Sequence, residues 1–195
     1  MQGTEIKKYV KLNELAELGG VVIFGCKGDK EIPTCELRQA FDVESKVYNR
    51  SFETISIKEA VQVYRESIVA LAPETVLIHI GENDKEFFAE DSTEFDNKYR
   101  ELLTFIKTQN PKCRICIVSL KNYDNNLLTE EMNKHLKYIA DSERCEYADI
   151  AGKKVWNPKV TMDAASFVYS LGFIYPLKNK RPLYDLVKIM FCYDA

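Results

Sequence analysis

Residues 76–84 read VLIHIGEND, a short apolar run that ends in a loop of small and polar residues. A run of this length, rich in branched apolar side chains, is typical of a strand buried on both faces. Gly81, Asn83 and Asp84 are residue types that favour the turn after a strand. The stretch therefore predicts a buried parallel strand with a loop at its carboxyl end.

Similar apolar runs recur along the chain and alternate with segments of helical periodicity. The further strand candidates are residues 21–24, 46–48, 115–120 and 145–150, and the helix candidates are residues 57–71, 95–106 and 132–139. Strands that alternate with helices predict βαβ units with right-handed crossovers. We therefore expect an α/β fold, a three-layer α/β/α sandwich with a flavodoxin-like, doubly wound parallel sheet of about five strands.

Length and charge limit the classes of partner. A chain of 195 residues is close to the usual size of one domain, so residues 1–195 are expected to form a single domain. The net charge is −3, without a basic block, which argues against a nucleic-acid partner. No apolar run is long enough to span a membrane, and residues 1–20 lack the apolar core of a secretory signal. A cytoplasmic protein is expected.

The cysteines indicate free thiols and no metal or redox motif. Six cysteines are scattered along the chain, without the framework of a disulfide-rich domain. Cys113 and Cys116 have C-x-x-C spacing, but they open a strand candidate in which residues three apart point to opposite faces. We therefore expect no metal ion and no cofactor. The last segment, residues 183–192, fits either a short helix or a strand.

The carboxyl ends of the strands are where an open parallel sheet binds ligands. The corresponding segments are residues 25–30, 49–52, 79–84, 119–122 and 163–166. In their order these segments resemble the SGNH, or GDSL-type, hydrolases, which are serine esterases and lipases, and the resemblance covers about residues 20–173. The clearest match is Gly-x-Asn-Asp after the third strand, which implies that Asn83 takes the place of the oxyanion-hole asparagine.

The resemblance also implies that the nucleophile is missing. Gly25 matches the glycine of the Gly-Asp-Ser block, but Cys26 stands at its aspartate and Lys27 at its serine. A match shifted to Gly28 and Asp29 puts Lys30 at the serine instead. Serine esterases need this hydroxyl, a histidine that accepts its proton and an aspartate that orients the histidine.

The catalytic histidine is missing from its block as well. Where the family has Asp-x-x-His, this chain has Asp163 followed by Ser166, and Ser51 stands near the place of an oxyanion-loop glycine. His79, in the third strand, and His135, on the helix after the fourth strand, both lie outside the loop that presents the base. We therefore interpret His79 as a packed strand residue.

The leading hypothesis is a catalytically degenerate SGNH hydrolase-like protein that binds a small acyl or carbohydrate ligand or a partner. The alternative is an active esterase, acyl hydrolase or deacetylase that uses Cys26 or a set rearranged around Ser51, Ser166 and His79. A structural assembly module is a third possibility. The candidate catalytic residues are Cys26, Asn83 and Asp163, and the candidate ligand-binding residues are Gly25, Cys26, Lys27, Ser51, Gly81, Asn83, Asp84 and Ser166.

Overall fold

A computed structural model describes residues 2–41, 43–122, 125–152 and 183–192. Its strands are β1 Val21–Gly25, β2 Val47–Asn49, β3 Thr75–His79, β4 Arg114–Val118 and β5 Glu146–Ala148. Its helices are α1 Gln2–Asn13, α2 Thr34–Ala40, α3 Ile57–Ser67, α4 Lys85–Glu90, α5 Ser92–Gln109, α6 Leu127–Ser142 and α7 Leu183–Phe191. Short 3-10 turns follow β1, at Lys27–Asp29, and α3, at Val69–Leu71.

The strands form one parallel sheet in the order β2-β1-β3-β4-β5. The chain moves outward from β1 to β2 and then crosses back to β3, so the direction of winding reverses between β1 and β3. Val21 is paired with Thr75 at the start of these two strands, and Gly25 with His79 at their carboxyl ends. The loops that follow β1 and β3 therefore lie side by side at the switch point where doubly wound sheets bind ligands.

Helices cover both faces of the sheet, which confirms the predicted three-layer sandwich. Val22 and Phe24 of β1 point into a core shared with α1, α3, α4, α5 and α6. The alternate residues Val21 and Ile23 point into a second core shared with α2 and α7. Because both faces are buried, the central strands β1 and β3 are buried along their whole length and mostly apolar, without alternating polar residues.

The predicted helices are present, and the structure adds others. The segment 57–71 divides into α3, which begins at a Ser56–Glu59 capping box, and a 3-10 turn. Residues 183–192 contain the helix α7, so the helical alternative is correct there. The helix candidates of the sequence did not include α1 or α2, and the resemblance alone implied a helix start after Asp84, where α4 begins. No helix in the described ranges combines the length and the apolar character needed to cross a membrane.

The two cysteines of the C-x-x-C motif lie on opposite sides of the sheet, as predicted. Cys116 is buried in the core beneath α2 and α7, whereas Cys113 packs against the other core. All six cysteines are free of disulfide bonds.

A buried amide fixes the loop that follows β4. Asn133 of α6 accepts a hydrogen bond from the backbone N–H of Leu120 at 2.7 Å and donates one to the Leu120 carbonyl at 3.0 Å. Both backbone groups are thus satisfied away from water, which holds this loop against the sheet edge.

We predict that Asn133→Ala lowers the free energy of unfolding by about 2 kcal/mol or more, because it leaves two buried backbone groups unpaired. Urea denaturation measures this loss. The control is Asn97→Ala on the exposed side of α5, which is expected to change the free energy by less than about 0.5 kcal/mol. Equal effects of the two substitutions would contradict the structural role of Asn133.

Candidate functional site

A buried carboxylate and an imidazole meet at the carboxyl ends of β1 and β3. His79 Nδ1 lies 2.8 Å from Asp29 Oδ2, and the side chains are 0% and 1% exposed respectively. His79 is the last residue of β3, and Asp29 ends the 3-10 turn that follows β1. The pair therefore follows from the adjacency of the two strands in the sheet.

Asp29 binds several further groups. Its Oδ2 accepts a hydrogen bond from the backbone N–H of Cys26 at 3.0 Å, and its Oδ1 lies 3.5 Å from Lys121 Nζ. Burial acts to raise the pKa of Asp29, but the interactions with His79, Lys121 and the Cys26 N–H outweigh burial and lower it. Asp29 is therefore ionised near neutral pH, and His79 Nδ1 donates the proton of their hydrogen bond.

Gly25 is required by the position of this carboxylate. A Cβ atom at Gly25 would lie 2.2 Å from Asp29 Oδ2, far inside van der Waals contact. Gly25, which matches the first residue of the Gly-Asp-Ser block, is therefore required in this chain for steric reasons.

Cys26 is a buried thiol held by acidic groups. It is 1% exposed, and its Sγ donates a hydrogen bond to Glu82 Oε2 at 2.9 Å. Burial and the negative charges of Asp29 and Glu82 raise the pKa of Cys26 far above its ordinary value, against the weaker opposing effect of Lys121. Cys26 is therefore protonated in this arrangement.

Three side chains with different donor atoms converge beside Asp29. Cys26 Sγ, a ring nitrogen of His79 and a carboxylate oxygen of Glu82 all lie within 4.8 Å of one another. His79 Nε2 is buried and has no hydrogen-bond partner within the described part of the chain. The His79 ring also packs edge-on against Phe191 of α7, with centroids 5.4 Å apart.

The loop after β3 ties several elements together. Gly81 has a φ of +133°, which residues with a Cβ rarely adopt. The Asp84 carboxylate accepts hydrogen bonds from Ser56 Oγ and from the Ile57 N–H at the start of α3, and burial raises the pKa of Asp84. Asp84 thus stabilises the beginning of a helix.

Asn83 lies on the surface of the same loop. Its residue is exposed, and its amide Nδ2 donates a hydrogen bond to the Ile55 carbonyl at 2.9 Å. The second amide hydrogen remains geometrically available to a ligand, since an NH₂ group has two donors.

The other predicted residues occupy varied surroundings. The Lys27 side chain is 75% exposed and forms an ion pair of 2.5 Å with Glu53. Ser51 is buried, and within the described ranges its Oγ has no hydrogen-bond partner. The backbone N–H of Asp29, two residues after Lys27, donates a hydrogen bond to the Cys26 carbonyl. It is therefore not available to bind an anion together with the Lys27 ammonium. Asp163 and Ser166 lie outside the described residues.

Sequence reasoning selected Cys26 and named His79 only in the alternative catalytic set, and it missed the other members of the buried cluster. His79 was interpreted as a packed strand residue, and Asp29, Glu82 and Lys121 were not singled out. A signal existed, because Asp29, His79 and Glu82 all follow or end strands that neighbour each other in a doubly wound sheet. Finding it required the order of the strands.

Comparisons with known proteins support the resemblance in fold. No family profile and no curated protein sequence matches the chain. A GDSL-like lipase from Bacteroides thetaiotaomicron is similar in structure, with a TM-score of 0.62, 14% identity and coverage of 82% of this chain and 84% of the lipase. A mutant acetyl-xylooligosaccharide esterase from Geobacillus has a TM-score of 0.58, 14% identity and coverage of 85% and 99%. The chain therefore has the SGNH/GDSL-hydrolase fold.

We predict that Gly25→Ala lowers the free energy of unfolding by about 1–3 kcal/mol, because the new methyl group displaces the Asp29 carboxylate. Thermal or urea unfolding measures the change. Gly3→Ala is the control, since no atom lies within 4 Å of its added Cβ, and it is expected to leave stability unchanged or slightly raised. A Gly25→Ala protein as stable as the parent would show that Asp29 is not held in this position.

Proposed function

We propose that this protein, which has the SGNH-hydrolase fold, does not hydrolyse esters and instead binds a small acyl or carbohydrate ligand at the carboxyl ends of β1 and β3. The observation that carries the proposal is the state of the residues at the nucleophile block. Lys27 stands where the resemblance expects the serine, and the neighbouring Cys26 thiol is buried and bound to Glu82.

Neither side chain of this block is suited to attack a carbonyl. Lys27 forms an ion pair with Glu53, and the ammonium group of such a pair has no lone pair with which to attack a carbonyl. A thiol becomes a strong nucleophile only as a thiolate, and the surroundings of Cys26 favour the protonated form. Its 1% exposure also leaves a substrate without an approach to the sulfur.

The histidine of the cluster is equally enclosed. His79 is 0% exposed, and its Nδ1 is held by Asp29. A general base must come within hydrogen-bonding distance of the proton that it removes, and a fully buried ring does not reach a substrate at the surface. This supports binding without the family's hydrolytic step.

The exposed polar groups at the same edge support the choice of ligand. Lys27 presents an ammonium and Asn83 an amide, and both lie at the switch point of the sheet. Such groups suit the oxygen atoms of acyl or sugar groups. A structural neighbour is named as an esterase of acetylated xylooligosaccharides, and we extend that ligand class to this chain as a hypothesis.

We further propose a cytoplasmic location. The support is that all six cysteines are free of disulfides, as is usual in a reducing compartment.

The proposal predicts that the purified protein releases nitrophenol from short-chain p-nitrophenyl esters no faster than buffer does. It also predicts that acetylated xylooligosaccharides bind, as measured by calorimetry, and that Asn83→Ala weakens binding by up to about tenfold through loss of one hydrogen bond. Asn97→Ala serves as the control. Ester cleavage well above background that falls in Asn83→Ala would overturn the proposal, and so would the absence of binding.

A thiol hydrolase is the second candidate, and one observation favours it. His79 Nδ1 contacts Asp29, and a ring nitrogen of His79 lies within 4.8 Å of the Cys26 sulfur. This order of acid, imidazole and thiol resembles the relay of a cysteine nucleophile. The hydrogen bond from Cys26 to Glu82 and the burial of Cys26 and His79 oppose it.

Iodoacetamide labelling followed by peptide mass spectrometry separates the two candidates. We expect Cys26 to react more slowly than Cys35 at neutral pH, because only the thiolate reacts and because Cys35 is exposed whereas Cys26 is buried. Faster labelling of Cys26, together with thioester hydrolysis that Cys26→Ala abolishes, would establish the thiol hydrolase instead.

A further inference from the structure

The buried cluster at the switch point contains possible metal-ligand atoms that the proposed binding function does not use. The Cys26 thiol lies after β1, the His79 ring ends β3 and the Glu82 carboxylate follows β3, and one possible ligand atom of each lies within 4.8 Å of the others. The arrangement calls for its own explanation.

We propose that Cys26, His79 and Glu82 bind a divalent transition-metal ion, with zinc as the best fit, and that Asp29 positions His79 for this role. The site lies beneath the surface edge to which the acyl or carbohydrate ligand is assigned. The inference goes beyond the proposed function and does not depend on it, because metal binding and ester hydrolysis are measured separately.

The chemistry of the ligand atoms suits zinc. Zinc accepts cysteine sulfur, histidine nitrogen and carboxylate oxygen at about 2.0–2.3 Å, which places two ligand atoms of a tetrahedral site about 3.5 Å apart. The separations of at most 4.8 Å here exceed that spacing by no more than about 1.3 Å. Three protein ligands leave a fourth coordination position on the metal.

The surroundings of His79 are those of a metal-bound histidine. A ligating histidine usually donates its other ring N–H to a carboxylate, which fixes the tautomer and makes the ligating nitrogen more basic. Asp29 accepts from His79 Nδ1 at 2.8 Å, so the lone pair resides on Nε2. That nitrogen is one of the buried side-chain atoms without a hydrogen-bond partner in the described residues, and a metal ion bound to it would satisfy it.

The charges of the site favour a divalent cation. Three acidic side chains, those of Cys26, Asp29 and Glu82, stand at the site against one basic side chain, that of Lys121 beside Asp29, an excess of two acidic groups. A divalent ion neutralises the remaining excess. On binding, the metal–sulfur bond replaces the S–H bond of Cys26. The thiol proton, which Cys26 donates to Glu82 in the metal-free protein, is released to solvent.

Metal-free full-length protein is titrated with Zn²⁺ by calorimetry, and with Co²⁺ while the absorption spectrum is recorded. We expect one equivalent to bind, with proton release and with the thiolate-to-cobalt charge-transfer band that reports cysteine ligation. Cys26→Ser should abolish that band, and Glu82→Gln should weaken binding at least about tenfold.

Matched controls test whether the binding belongs to this cluster. Cys35→Ser removes an exposed thiol and Glu86→Gln an exposed carboxylate on α4, and both should bind like the parent. Circular dichroism verifies that each variant is folded, and Glu82, which is only partly buried, provides a test even if Cys26→Ser unfolds. No binding to the parent, or equal binding to Cys26→Ser, Glu82→Gln and the controls, overturns the proposal.

Asp29→Asn tests the positioning role. It keeps all three metal ligands but weakens the acceptor that orients His79, so we expect a loss of about 10–100-fold in affinity while the cobalt–thiolate band remains. An affinity equal to that of the parent would remove Asp29 from the site. Ester hydrolysis, measured on the same samples, would overturn the proposed function and leave the metal result unaffected.

Discussion

The carboxylate of Asp29, buried at the end of β1, is the group around which the carboxyl edge of this sheet is built. Burying an ionised carboxylate is costly unless hydrogen bonds and opposite charges compensate. Asp29 obtains these from the His79 ring, the Cys26 backbone N–H and the Lys121 ammonium. Because these partners come from three different strands, one carboxylate fixes the relative positions of the loops after β1, β3 and β4.

The position of Asp29 explains why this chain keeps the glycine of the Gly-Asp-Ser block but not its serine. Gly25 is needed whether or not the protein is an enzyme, because Asp29 occupies the space that a side chain would fill. Nothing comparable acts on Lys27, whose side chain extends into solvent. The nucleophile position is therefore free to change, while the glycine two residues before it is not.

The loop after β3 persists for a similar reason. Gly81 adopts a backbone conformation that favours glycine, Asp84 caps the start of α3, and Asn83 binds the Ile55 carbonyl. Each of these contacts stabilises the connection between β3 and the segment that leads into α3. A loop that resembles the oxyanion-hole loop of the hydrolases thus stabilises the fold even without a catalytic serine. This is one reason why fold does not imply function.

The sequence by itself determined the layers of the fold and the edge at which to search. Continuous apolar runs such as residues 76–80 and the amphipathic segments between them are local patterns, and strand and helix type follow from such patterns. The single-domain organisation and the cytoplasmic location remain predictions from composition. The absence of a serine and a histidine in the expected blocks was also visible in the sequence.

Only the tertiary structure decided that Asp29, His79, Cys26 and Glu82 form one cluster. His79 looked like a packed strand residue because burial alone is what its neighbours in the sequence indicate. Its partner lies fifty residues away, and the contact arises because β1 and β3 are adjacent and in register, with Gly25 opposite His79. Strand order and register are set by packing across the whole domain, so no local pattern contains them.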